Sequence, residues 1–68
     1  MRYRFRPQAI KELIRDGWTV TELAQICRVS RRTIRRWKAR EGEPSGSQIM
    51  ALWYRTELEW DDFFVGGR

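Results

Sequence analysis

Histidine is absent from this 68-residue chain, and cysteine occurs once, as Cys27. Without histidine there is no imidazole to serve as general base or metal ligand, and one thiolate does not make a usual zinc site. An intrachain disulfide needs two cysteines, so the chain suits a reducing compartment. No apolar run approaches membrane-spanning length, and no secretory apolar region follows Met1. With neither a nucleophile–base pair nor a ligand set, the chain reads as non-enzymatic. The expectation is no cofactor, no metal, no small-molecule substrate and no membrane. The most informative absence is local: from Arg28 to Arg40 there is no acidic residue, while seven of the fourteen basic ones fall there.

Charge is divided along the chain. Residues 1–40 carry twelve Lys/Arg and three Asp/Glu, hence +9; residues 41–68 carry two Arg and six Asp/Glu, hence −4. A basic part suits a polyanion, and an acidic part is repelled by the same partner. The length allows one small domain, marginal in core size. Four Trp, three Phe and two Tyr supply much of the area it can bury.

Periodicity and stop signals predict an all-α, compact four-helix domain with a short, extended tail. Residues 1–6 alternate Arg with Tyr3 and Phe5. They read as an extended arm, packed on the core, laid on a partner, or both. Pro7 suits a first helical turn, and Ile10, Leu13 and Ile14 share one face, so helix 1 is expected over Pro7–Asp16, with Gly17 as its stop. Thr19-Val20-Thr21-Glu22 fits a capping box ahead of helix 2, Val20–Ile26, whose inward residues are Val20, Leu23, Ala24 and Cys27. Ser30 caps helix 3, Arg31–Arg40. The stretch from Glu41 to Gly46 is breaker-rich. Ser47 is expected to cap helix 4, Gln48–Thr56, with Ile49, Leu52 and Trp53 inward. Residues 1–56 are then one domain, and 57–68 an acidic, aromatic tail.

Two short helices joined by a three-residue turn have definite packing needs. The first helix needs a small residue where the second crosses it, the turn an apolar plug, and the second helix two apolar anchors a turn apart. Counting from Val20 as position 1, Ala24, Val29, Ile34 and Trp37 fall at positions 5, 10, 15 and 18, the spacing of a helix-turn-helix. The stretch "TVTELAQICRVSRRTIRRWKAREGEP" resembles the phage-type helix-turn-helix regulators of the Cro/C1-like class. It is also similar to small phage proteins with a Trp- and Phe-containing tail. The motif spans about residues 17–44; beyond Pro44 the likeness rests on helix 4 and "EWDDFF". One position departs from the class, which usually has Gly where this chain has Arg28. Either Arg28 adopts a positive φ, at roughly 1 kcal/mol relative to Gly, or the turn takes another conformation.

The resemblance implies base contacts from Ser30, Arg31, Arg32, Arg35 and Arg36 at the exposed early positions of helix 3. Helical geometry at about 100° per residue places the four arginines opposite Ile34 and Trp37. Arginine is also the side chain that meets a guanine edge in bidentate fashion. Thr19, Thr21, Thr33, Lys38 and Arg40 are the candidate phosphate contacts. The expected function is sequence-specific binding of double-stranded DNA by a small transcriptional regulator of phage or prophage derivation, acting in a bacterial cytoplasm as a homodimer. The alternatives are an excisionase or other recombination accessory factor, a transposase-type DNA-binding module, and an adaptor whose basic face meets an acidic protein. Trp53, Trp60, Phe63 and Phe64 either complete the monomer's core or form the dimer interface.

Overall fold

Three of the four helices begin at a hydroxyl side chain, and these caps set the architecture. The structure is a computed structural model in which residues 3–66 are described. Their order is β1 (Tyr3–Phe5), α1 (Gln8–Arg15), α2 (Val20–Cys27), α3 (Arg31–Lys38), α4 (Gly46–Arg55), a 3-10 turn (Trp60–Phe63) and β2 (Phe64–Gly66). The expected all-α class with four helices holds, with a small strand pair added. The Thr19 hydroxyl accepts from the Glu22 amide at 3.1 Å, and the Glu22 carboxylate accepts from the Thr19 amide at 2.9 Å, the expected capping box. Ser30 caps α3 by accepting from the Thr33 amide at 3.2 Å. The cap of α4 is Ser45 rather than Ser47. Gln48 lies three residues after Ser45, and its side chain accepts from the Ser45 amide at 2.8 Å, so the helix starts two residues earlier than expected.

The helix ends are equally regular. Trp18 N–H reaches Leu13 C=O at 3.0 Å and Gly17 N–H reaches Ile14 C=O at 3.1 Å, with Gly17 at φ 112°. This is a Schellman closure, in which one residue turns left-handed to satisfy the last carbonyls. α2 closes the same way, with Val29 N–H on Ala24 C=O at 3.0 Å and Arg28 at φ 59°, ψ 45°. Arg28 thus takes the left-handed conformation where the helix-turn-helix class usually has glycine. α3 repeats the device: Glu41 N–H meets Arg36 C=O at 2.7 Å and Arg40 sits at φ 66°. The helix therefore stops at Lys38, and Arg40 lies beyond its end rather than on its last turn.

The core draws on all four helices, three residues each from α1 and α2 and two each from α3 and α4. Ala9, Ile10, Leu13, Leu23, Ala24, Cys27, Ile34, Trp37, Ile49 and Leu52 are buried, joined by Phe5 from β1 and Phe63 from the 3-10 turn. Val29, Trp18 and Val20 pack partly against them. α3 packs on α2 and α1, and α4 runs along α2. Two readings need correction. Trp53 stays 41 % exposed, because the inward face of α4 is taken by Ile49 and Leu52. Phe63 is fully buried, so it completes the monomer's core and has no surface left for a partner.

The tail is tied down at several points. β1 and β2 pair antiparallel, with Phe5 opposite Phe64 and Arg4 opposite Val65. Arg6 N–H meets Phe63 C=O at 2.7 Å. The Arg6 guanidinium donates to Glu12 Oε1 and to Asp62 C=O, each at 3.0 Å. One side chain thereby joins the arm, α1 and the tail. The hydrogen bond from Arg6 holds the Glu12 carboxyl below its ordinary range, and the same bond raises the guanidinium's.

Candidate nucleic-acid interface

The site is the outer face of α3, and its inner face explains why it stays fixed. Ile34 is fully buried and Trp37 is 4 % exposed. Their anchoring leaves Arg31, Arg32, Arg35 and Arg36 exposed together on the other side. Among the described residues, none of the four side chains has a hydrogen-bonded or ionic partner; the ion pair of Arg6 with Glu12 lies elsewhere.

The electrostatics of α3 are unfavourable for the helix alone. Arg31 and Arg35, and Arg32 and Arg36, are like charges at i,i+4, which repel. No acidic residue occupies the first turn, where Arg31 and Arg32 face the positive end of the helix dipole. Only the last turn, with Arg35, Arg36 and Lys38, has the helpful sign. A polyanion laid on this face reverses the first two penalties. Guanidinium groups also match both phosphate oxygens and guanine edges.

The remaining predicted site residues divide by what already holds them. Ser30 is exposed, but its hydroxyl is engaged with the Thr33 amide and lies 3.1 Å from the Thr33 hydroxyl. Thr19 is likewise occupied as the α2 cap. Thr21 is exposed at the start of α2. Thr33 and Lys38 are half-buried at the border of the face. Arg40 is exposed just past the end of α3 and lines an open groove of about 550 Å³ together with Arg4 of β1. The structure thus places the arm and the residues just past α3 on one groove, which Glu43 also lines. The Tyr3 side chain lies outside the described residues, while Phe5 is buried, as one reading of the arm required.

The second predicted surface is partly assembled. Trp53 and Trp60 meet edge to face with centroids 5.7 Å apart, and Trp60 and Phe64 lie 5.1 Å apart. Both tryptophans are 41 % exposed. Glu57, Glu59 and Asp61 are exposed around this cluster in the sequence, which gives the tail a charge opposite to that of α3.

Cys27 is an interior residue. Burial pushes its thiol up to about 11, so it stays protonated at neutral pH. Its sulfur lies 3.9 Å from the Gln48 carbonyl, and the Gln48 amide donates to the Cys27 carbonyl at 3.5 Å, fastening α2 to α4. Among the described residues, no helix is long and apolar enough to cross a membrane.

Sequence reasoning missed two features near this site: the groove that Arg4 and Arg40 both line, and the bridge made by Arg6. Both depend on the β1–β2 pairing of segments about sixty residues apart, for which the local pattern carries no signal. Residues 2–48 match the family described as a homeodomain-like domain. No curated protein and no solved structure matches the chain.

Proposed function

The chain belongs to the homeodomain-like domain family, a class of DNA-binding helix-turn-helix module, and from that premise we propose that it is a small sequence-specific transcriptional regulator. α3 lies in the major groove. Arg31, Arg32, Arg35 and Arg36 read base edges, with Ser30 at the groove's margin. Thr19, Thr21, Thr33, Lys38 and Arg40 hold phosphates. The observation that carries this reading is the acid-free face of α3, four exposed guanidinium groups held in place by Ile34 and Trp37.

The protein acts as a homodimer through Trp53, Trp60 and Phe64, in a bacterial cytoplasm and of phage or prophage derivation, as the sequence resemblance suggests. Aromatic residues exposed together in an acidic surround support a protein partner on that side rather than DNA. A recombination accessory factor of the excisionase type normally continues from its recognition helix into a strand pair. Here α4 follows α3, which favours the regulator.

Selection of bound duplexes from a random pool tests the proposal. A two-fold-symmetric consensus is expected, with half-sites about one helical turn apart. Scattered direct repeats would point to a recombination or transposase-type role. Binding should weaken with salt at a log–log slope of about −4 to −5 per protomer, for about five phosphates neutralised. A flat response would remove DNA as the ligand.

A further inference from the structure

Three helices of this chain close with the same left-handed residue, yet only one of them uses glycine for it. α1 closes on Gly17 at φ 112°, and its Cβ position is open, with nothing within 4 Å. α2 closes on Arg28 at φ 59° and α3 on Arg40 at φ 66°. A side chain makes this conformation unfavourable, and glycine is its usual occupant. The hydrogen bonds that define the closure are backbone bonds in all three cases, so the arginine side chains contribute nothing to them. Arg28 and Arg40 are both exposed, and among the described residues neither has a carboxylate partner. Among the described residues, therefore, no side-chain hydrogen bond or ion pair explains an arginine at either position.

The two residues bracket α3. Arg28 precedes its first residue by three positions, and Arg40 follows its last by two. α3 has eight residues, an axial length of about 12 Å. A recognition helix lies along the major groove, with phosphate rows on both of its sides. Extended arginine side chains at both ends of such a helix come within range of the phosphates that flank the groove.

We infer that Arg28 is a phosphate-contacting residue of the DNA complex, paired with Arg40 across α3, and that the domain keeps it in a strained conformation for that contact. The inference rests on the DNA-binding reading above and adds to it a residue of the turn, which that reading left as a purely structural element. Phosphate contacts act on any sequence, so the effect belongs to general affinity and not to base discrimination.

The test uses the full chain, a 30-base-pair duplex of random sequence, and the substitutions Arg28→Gly and Arg28→Lys. Arg28→Gly relieves the backbone, so its melting temperature should rise, by up to about 4–8 °C for a domain of this size. At the same time its affinity for the duplex at 0.1 M salt should fall about five- to tenfold, and its salt slope should shrink by about one. Arg28→Lys should keep the slope. Opposite movement of stability and affinity in one variant is the expected signature. Wild-type affinity and slope in Arg28→Gly would overturn the inference while leaving the DNA-binding reading intact. So would a loss of affinity without a change of slope, because that would mark Arg28 as a shaping residue of the turn. An Arg28→Gly protein no more stable than wild type would overturn the claim of strain. Absence of duplex binding by the wild-type chain would overturn both readings together.

Discussion

α3 and the α4–tail region solve the same packing problem and leave opposite surfaces behind. α3 sends Ile34 and Trp37 inward; α4 and the tail send in Ile49, Leu52 and Phe63. What stays outside differs. On α3 it is four unpartnered arginines; on α4 and the tail it is Trp53 and Trp60, with carboxylates near them in the chain. The core requirement is therefore met in two ways, and the remaining surface carries the functional difference. A tryptophan in this chain is structural when it is Trp37 and available to a partner when it is Trp60.

That contrast is broken most severely through the core. Trp37→Ala should cost about 3–5 kcal/mol, comparable to the whole stability of a domain this size, and Phe63→Ala should cost a similar amount. Trp60→Ala, truncating a side chain 41 % exposed, should cost far less. Thermal melts of the three variants give the order. A Trp60→Ala protein as damaged as Trp37→Ala would mean that the tail's aromatics are core after all.

The arginine face comes next in size. Arg31→Ala, Arg32→Ala, Arg35→Ala and Arg36→Ala should each weaken binding to a selected duplex, by roughly 1–3 kcal/mol for any that reads a base. Stability should hold or rise slightly as like-charge repulsion is relieved. Lys38→Ala should weaken all sequences alike. Full affinity in all four arginine variants would place the reading surface elsewhere.

The tail surface is sharpened by Trp53→Ser with Trp60→Ser. Sedimentation should show a smaller assembly with the fold retained, and the affinity for a symmetric duplex should fall through the loss of paired half-sites. An unchanged assembly would return these residues to the monomer. Removing the tail whole is a poorer test, because Phe63 and β2 would leave with it.

The smallest effect concerns Glu12. Its carboxyl is lowered by the hydrogen bond from Arg6. A depressed carboxylate stabilises the fold above the unfolded value of about 4.3, and that contribution fades as pH falls through the lower folded value. Glu12→Gln should therefore lower the melting temperature slightly at pH 7 and not at strongly acid pH. For a partly exposed pair the difference is within about 1 kcal/mol. Equal losses at both pH values would assign the effect to packing.

Much of the centre of the molecule was legible beforehand. Ala24, Ile34 and Trp37 are buried where helix-turn-helix spacing requires, and Thr19, Ser30 and Gly17 punctuate as expected. These features rest on residues within four or five positions of one another, the range over which helical period and capping operate. Both ends of the chain were harder to read. β1 and β2 have three residues each, too few for a period, and their pairing spans nearly the whole chain. Which of Phe63 and Phe64 faces inward is decided by that pairing and by the 3-10 turn before it, not by anything local. The start of α4 was readable, since Ser45-Gly46-Ser47-Gln48 carries the capping-box spacing from Ser45 and not from Ser47. The left-handed state of Arg28 could be posed but not decided, because either conformation satisfied the same spacing.

The strand pair also has a temporal meaning. Phe5 and Phe63 meet in one core, although the chain between them holds all four helices. Local contacts let α2 and α3 associate early, as short-range contacts generally form faster than distant ones. The pocket for Phe63 can be filled only once the synthesised chain has passed residue 63. A ribosome-bound intermediate ending before it would display the paired helices over an open cleft, with the part of α1 that meets the 3-10 turn wetted. Completion of this fold is thus a clasp closed last, by a segment that emerges after all four helices.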